Sequence, residues 1–238
     1  MQRSTAFRTA GLYDLEFFSE DFMSQKYFIK IKNQQIKFNE LNDKRYLCYS
    51  FLKFNSNNYG RVNCTLTEMC DIMHYSTSSK NTKSNSQNSF KNEISKLIDE
   101  KVLYFIPNTS VKTFESLTSS KMFTLMFNPE EEELLGNYTI LGESEFLKIV
   151  QLSKVEKIEA HKLMNVYLLI KSYLYNGKNK LTTVCYASVS HLAGLLNCDK
   201  RTVRIIIDIL IKNKMIYFCK FKDKQTFEFV YFCLWRNL

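Results

Sequence analysis

Side chains suited to covalent or metal chemistry are few in this sequence and poorly spaced for it. His74, His161 and His191 are far apart, and no HxH or HExxH pattern occurs. No GxxxxGK run followed by Ser or Thr exists to cradle a triphosphate, and the six glycines contain no GxGxxG. Cys64, Cys70 and His74 are close enough to suggest zinc ligands, but a fourth ligand is missing and Cys70 is needed as a small inward residue. The 14 tyrosines lack the His pair that a metal-dependent tyrosine nickase needs. Neither catalysis nor a metal or cofactor is expected.

What the sequence does offer is cations. Residues 152–238 hold 15 Lys and Arg against 6 Asp and Glu, so the whole formal surplus of +9 lies there and residues 1–151 balance. A basic domain beside a neutral one suits a polyanion, although a solvated basic surface gives the same count. Within the basic part, Lys200, Arg201, Thr202 and Arg204 fall in one short run, and Lys220, Lys222 and Lys224 in another.

An internal repeat shows which elements must position these residues. Leu97–Phe105 aligns with Leu210–Phe218 at an offset of 113 residues, with five identities. Upstream, Leu66–Met73 aligns with Val189–Leu196 at an offset of 123, and Leu47 and Phe51 correspond to Ile170 and Leu174. The first copy therefore carries ten extra residues, which fall in the polar, low-complexity stretch around Tyr75 to Asn85. Each copy reads as helix, short strand, helix, turn, helix and two strands.

In the second copy, Leu163, Val166, Tyr167, Ile170 and Leu174 keep a 3- and 4-residue spacing, which predicts a helix from about Val155 to Tyr175 that ends at Asn176-Gly177. A short extended piece is expected over 182–186. Two closely spaced helices follow. Val189, Leu192 and Leu196 face inward on the first of them, Ala193 allows a close crossing, and Asn197-Cys198-Asp199 makes the turn, with Asp199 as N-cap. Val203, Ile206, Ile207 and Leu210 point inward on the second helix. A hairpin of 216–221 with 227–234 closes the copy. The segment Leu192–Arg204 resembles the winged helix-turn-helix family, and the hairpin strengthens the likeness.

That resemblance implies a third helix lying in the major groove of double-stranded DNA and a wing on the backbone. The residues left outward are Lys200, Arg201, Thr202 and Arg204; Arg can pair bidentately with guanine and Thr can reach bases or phosphates. Lys220, Lys222 and Lys224 stand on or beside the wing as phosphate contacts would. Lys212 and Lys214 suit either DNA or the helix dipole. Ile205 and Ile209 flank the core face; a broad core, the other domain, the wing or a second subunit would each cover them.

In the first copy, Leu66, Met69, Cys70 and Met73 take the inner positions of the second helix, and Phe90, Ile94, Leu97 and Ile98 those of a third helix over about 87–101. Its outer face is read as Gln87, Asn88, Lys91, Asn92 and Lys96, with Lys80 and Lys83 on the inserted loop. Asn and Gln can read adenine. Because residues 1–151 as a whole carry no net charge, the first copy suits DNA contact or a scaffolding and dimerising role. Its wing is expected at 102–107 with 121–127, joined by a long loop.

The expected fold class is therefore α+β, mainly helical, with two winged helix-turn-helix domains in tandem. The expected organisation is an N-terminal extension at 1–36 with packed aromatics and a strand at Tyr27–Ile31, a first domain at 37–128, a linker at 129–151 with a helix over 143–151, and a second domain at 152–238. The acidic run Glu130–Glu133 suits a solvated linker. No apolar leader or membrane-length run occurs and the seven cysteines contain no CxxC, which leads to the expectation of a cytoplasmic protein without a membrane partner. Two such domains after an aromatic extension resemble replication initiators of theta-replicating plasmids in low-GC bacteria. The resemblance implies origin repeats and host replication proteins as partners, with a plasmid- or phage-encoded transcriptional regulator as the competing role.

Overall fold

The computed structural model describes residues 28–37, 39–76, 86–109, 111–129, 138–174, 185, 187–222 and 228–234. The chain is α+β and mainly helical, with small antiparallel sheets. In order, the described elements are β1 (Phe28–Lys32), α1 (Asn33–Lys37), α2 (Arg45–Phe54), β2 (Arg61–Cys64), α3 (Leu66–Ile72), α4 (Ser86–Asp99), β3 (Leu103–Ile106), β4 (Phe123–Phe127), β5 (Tyr138–Gly142), α5 (Glu143–Glu156), α6 (Ala160–Leu174), α7 (Val189–Leu195), α8 (Lys200–Lys212), β6 (Ile216–Lys222) and β7 (Glu228–Leu234). Expectations for Phe17, Phe18, Phe22, Tyr27, Lys80, Lys83, Glu130–Glu133, Asn176, Gly177 and Lys224 lie outside the described residues.

Two compact units form. One is built chiefly from Cys48–Glu133 with Gly142–Leu147, the other from Lys30–Leu47, Leu134–Leu141 and Lys148–Leu238. In the first unit β2, β4 and β3 make an antiparallel sheet in that order, with Val62 opposite Leu125 and Phe105 opposite Leu125 on the other side. Alternation along β4 buries Phe123, Leu125 and Phe127, and α3 packs on α4, which packs on β3. Phe51, Leu66, Met69, Phe90, Ile94 and Leu97 are almost wholly buried beneath them.

In the second unit α8 packs on both α6 and α7, and β6 pairs with β7 from Ile216↔Leu234 to Lys222↔Glu228. Cys185 forms an isolated β-bridge at the place that Val62 of β2 holds in the first copy, 123 residues earlier. β1 pairs with β5, a strand that the sequence reading of 129–151 as a linker does not contain. The buried Asn33 joins this sheet to α6: its Oδ1 accepts from Thr139 Oγ1 at 2.6 Å and its Nδ2 donates to the Ser172 carbonyl at 3.3 Å.

The helix expected from Val155 is in fact two. α5 ends at Glu156, Lys157 takes a left-handed φ of 54°, and α6 starts at Ala160. The apolar spacing that predicts this helix begins only at Leu163, so the spacing leaves its start unmarked.

The repeat is visible in backbone geometry. His74 (φ 58°) and Asn197 (φ 48°) are 123 residues apart, and Lys101 (φ 59°) and Lys214 (φ 56°) are 113 apart. Each ends a helix in the same double hydrogen bond. Cys198 N–H donates to the Ala193 carbonyl and Asn197 N–H to Gly194, as Tyr75 and His74 do to Cys70 and Asp71. Met215 and Lys214 donate to Leu210 and Ile211, as Val102 and Lys101 do to Leu97 and Ile98. These are left-handed helix ends that satisfy otherwise orphaned carbonyls. Thr65 and Ser188 cap the starts of α3 and α7 by accepting from Glu68 N–H and His191 N–H.

Residues 39–44 are held against α6 and the α7–α8 turn. Asn165 Nδ2 donates to the carbonyls of Glu40 (2.9 Å), Leu41 (3.0 Å) and Asp43 (2.8 Å), Leu41 N–H donates to the Leu196 carbonyl, and Asn197 Nδ2 donates to Glu40 Oε1. Asn165→Ala leaves the buried Leu41 carbonyl and the partly buried Glu40 and Asp43 carbonyls without that donor, and an unmet buried acceptor such as that of Leu41 costs about 1–3 kcal/mol. A lowered denaturant midpoint is expected, with far-UV circular dichroism unchanged at low denaturant; an unaltered midpoint contradicts the clasp.

One turn before Asn165, His161 is buried, with Glu159 Oε2 4.0 Å from its Nε2. Burial pushes its pKa down to about 4; Glu159 opposes that shift while Lys44 and Lys162 add to it. As pH falls below the ordinary value of 6.5 the unfolded chain takes up a proton that the folded chain refuses. Its contribution is thus full above 6.5 and is lost progressively down to about 4. The loss reaches about 3 kcal/mol. Stability measured between pH 7 and 4.5 should fall, and His161→Gln should flatten that fall; identical pH profiles would contradict the assignment.

Candidate nucleic-acid interface

α8 presents two different faces. Val203, Ile206, Ile207, Ile209 and Leu210 are buried, whereas Lys200, Arg201, Arg204, Ile205 and Asp208 are exposed. The inward stripe has the spacing of a helix packed on one side, so the cations are driven outward by the burial of their neighbours. At the crossing behind it, Leu192 and Ala193 of α7 and the following Leu196 are buried, while Val189, expected inward with them, is half-buried.

The start of α8 is fixed by Asp199. Its Oδ1 accepts from Thr202 N–H at 2.8 Å, and its Oδ2 accepts from the Thr202 hydroxyl. The Thr202 side-chain and backbone bonds hold the Asp199 carboxyl below its ordinary range, so the cap stays ionised. Thr202 was expected to reach bases or phosphates. It is half-buried and gives its hydroxyl proton to the cap, so it positions the helix instead. Among the described residues no carboxylate pairs with Lys200, Arg201 or Arg204.

Lys212 has a structural assignment. Its Nζ is 3.1 Å from Glu156 Oε1, which also accepts from Asn213 Nδ2, and these bonds pull the Glu156 carboxyl below its usual range. The exposed cations of α8 that have no described carboxylate partner are therefore those of its N-terminal half, while Lys212 and Lys214 stay exposed at its end. Lys220 and Lys222 lie in β6, the first strand of the hairpin that follows it.

The first unit uses the corresponding helix differently. Gln87, at the place of Lys200, was expected outward but is buried, with Nε2 3.3 Å from Thr67 Oγ1. Lys91, at the place of Arg204, donates to the Glu115 and Leu117 carbonyls at 2.7 and 2.9 Å. The Thr67 hydroxyl and N–H both donate to the Ser119 carbonyl. The β3–β4 connection, residues 107–122, thus lies on α3 and α4, anchored by the buried Val111, Phe114 and Leu117. Of the residues expected to read bases there, Asn88 and Asn92 are exposed; Lys96 is also exposed and is paired with Glu93 at 2.8 Å. Sequence reasoning placed a long loop here but had no means of seeing which surface it would cover.

Cys64 is fully buried and burial pushes its thiol far up, so it behaves as a core side chain. Among the described residues no three His, Cys, Asp or Glu side chains are grouped to hold a metal, and no described helix is long and apolar enough to cross a membrane. No protein-family model matches the chain, and no curated protein matches its sequence.

The cap offers a direct check. Asp199→Ala removes the acceptor of Thr202 N–H and should lower the thermal midpoint, whereas Asp199→Asn, which caps as well, should restore most of it. Equal losses in both variants would mean that charge, not capping, holds the start of α8.

Proposed function

We propose that this protein binds double-stranded DNA sequence-specifically, that each unit is a winged helix-turn-helix, and that α8 of the second unit enters the major groove. One observation carries the reading: Lys200, Arg201 and Arg204 stand exposed and without described carboxylate partners on the first half of a capped helix whose opposite face is buried. A helix placed this way offers guanidinium groups to guanine edges while a following hairpin meets the backbone. The helix, strand, helix, turn, helix and hairpin order of the first unit, with its β2-β4-β3 sheet, supports the same frame.

The role we assign is replication initiation at repeated origin sites, with host replication proteins and a second subunit as further partners. The support is the two-copy organisation and its resemblance to plasmid initiators. In this reading the first unit contributes less to base recognition, because Gln87 and Lys91 are engaged within the unit. Operator binding by a transcriptional regulator would use the same contacts, and target position separates the two. Selection from fragmented source DNA and random duplexes should enrich a repeated element beside an AT-rich tract; a single promoter palindrome would replace initiation with regulation, and no enrichment would refute DNA reading.

On an enriched site, Arg204→Ala should cost about 1–3 kcal/mol while changing binding to random duplex far less. Fluorescence anisotropy on both duplexes at matched salt measures this, and equal losses on the two would remove Arg204 from base recognition.

A further inference from the structure

Ile205 is 46% exposed in a helix whose large aliphatic residues at 203, 206, 207, 209 and 210 are buried and whose Ile211 is half-buried. It stands one turn after Arg201, beside Arg204, and almost one turn before Asp208, all exposed. The fold does not demand an apolar side chain here. At the equivalent place of the first copy, 113 residues earlier, α4 carries the exposed Asn92 in the same frame. Nor does Ile205 belong to an apolar patch on α8. Ile209, its expected companion, is only 8% exposed, which leaves one aliphatic side chain among charges, too little for the dry centre of a subunit interface.

We propose that Ile205 is a specificity-determining residue that packs on the C5-methyl group of thymine in the major groove. The inference rests on the DNA-binding reading above and names what that site prefers. Thymine is the base that offers an apolar group in the major groove, and aliphatic side chains recognise it there. The flanking Arg201 and Arg204 suit guanine O6 and N7. Four residues of helix advance about 6 Å, close to two base steps of about 3.4 Å. The preferred element therefore holds a thymine within roughly two base pairs of a guanine read by Arg201 or Arg204.

The test uses the full chain and the duplex enriched from a random pool, with each thymine replaced singly by deoxyuridine, which removes only the methyl group. At one position the wild type should lose about three- to fivefold in affinity, the worth of one buried carbon. Ile205→Ala should bind the unmodified duplex more weakly by a similar factor and show no further loss on the deoxyuridine duplex. Specific binding in which no replacement matters, or in which the replacement costs both proteins equally, overturns the inference and leaves the DNA reading standing. So does an Ile205→Ala that alters sedimentation without coupling to the methyl, which would assign the side chain to a second copy. Failure to enrich any duplex overturns both.

Discussion

Asn197 has a φ of 48°, in the left-handed region, and the direction of α8 follows from that residue. With Asn197 in this conformation, Cys198 and Asn197 can turn their N–H groups back to Ala193 and Gly194, and the next residue, Asp199, is free to cap α8. Asparagine tolerates this conformation better than most side chains, and Ala193 is small enough to sit at the crossing. A helix so fixed at its first residue, and packed along Val203, Ile206, Ile207 and Leu210, has no freedom to rotate. Which residues face water is then settled by periodicity alone, and so Lys200, Arg201, Arg204 and Ile205 do.

The same corner recurs at His74, yet the first unit exposes a different surface. The two copies differ in the hairpin connection: residues 107–122 between β3 and β4, against 223–227 between β6 and β7. The longer connection carries its own apolar anchors, with Phe114 in edge contact with both Phe105 and Phe123. Once anchored, it supplies the carbonyls that engage Thr67 and Lys91. A lysine that pairs with two carbonyls has its hydration replaced within the unit, and a phosphate must compete with those bonds. One frame thus yields a helix face turned to solvent in the second copy and a partly covered one in the first.

The legible part of this fold is local. Apolar spacing located α4, α6, α7 and α8, the pairing of β6 with β7 followed from two strand-like runs around a polar turn, and Asp199 was readable as a cap because Asp before a helical stripe has one common use. The 113- and 123-residue offsets exposed the repeat, and four matching left-handed helix ends show that it is structural. Long-range partners were not legible. Nothing near Gln87 in sequence indicates Thr67, and nothing near Lys91 indicates the carbonyls of residues 115 and 117. β5 escaped because Tyr138–Gly142 is a single short strand beside an acidic run, and its pairing with β1 joins residues over a hundred positions apart. Asn165 does carry a local signal, because it interrupts the apolar run of α6 and a buried amide needs partners.

Those partners explain why the second unit is assembled from separated stretches of chain. Asn33 lies in the expected extension and residues 39–44 at the start of the expected first domain, yet their hydrogen-bonding groups are satisfied by Thr139, Asn165, Ser172, Leu196 and Asn197 of the second unit. Apolar packing is tolerant of small shifts, whereas an amide whose two N–H donors are shared among three carbonyls at 2.8–3.0 Å is not, so Asn165 selects one seating of the 39–44 segment. That segment in turn holds Leu196 and Asn197, the two residues that end α7 and set the corner before α8. The exposed cations of α8 are therefore tied, through one turn and one buried amide, to chain that lies more than a hundred residues earlier in the sequence.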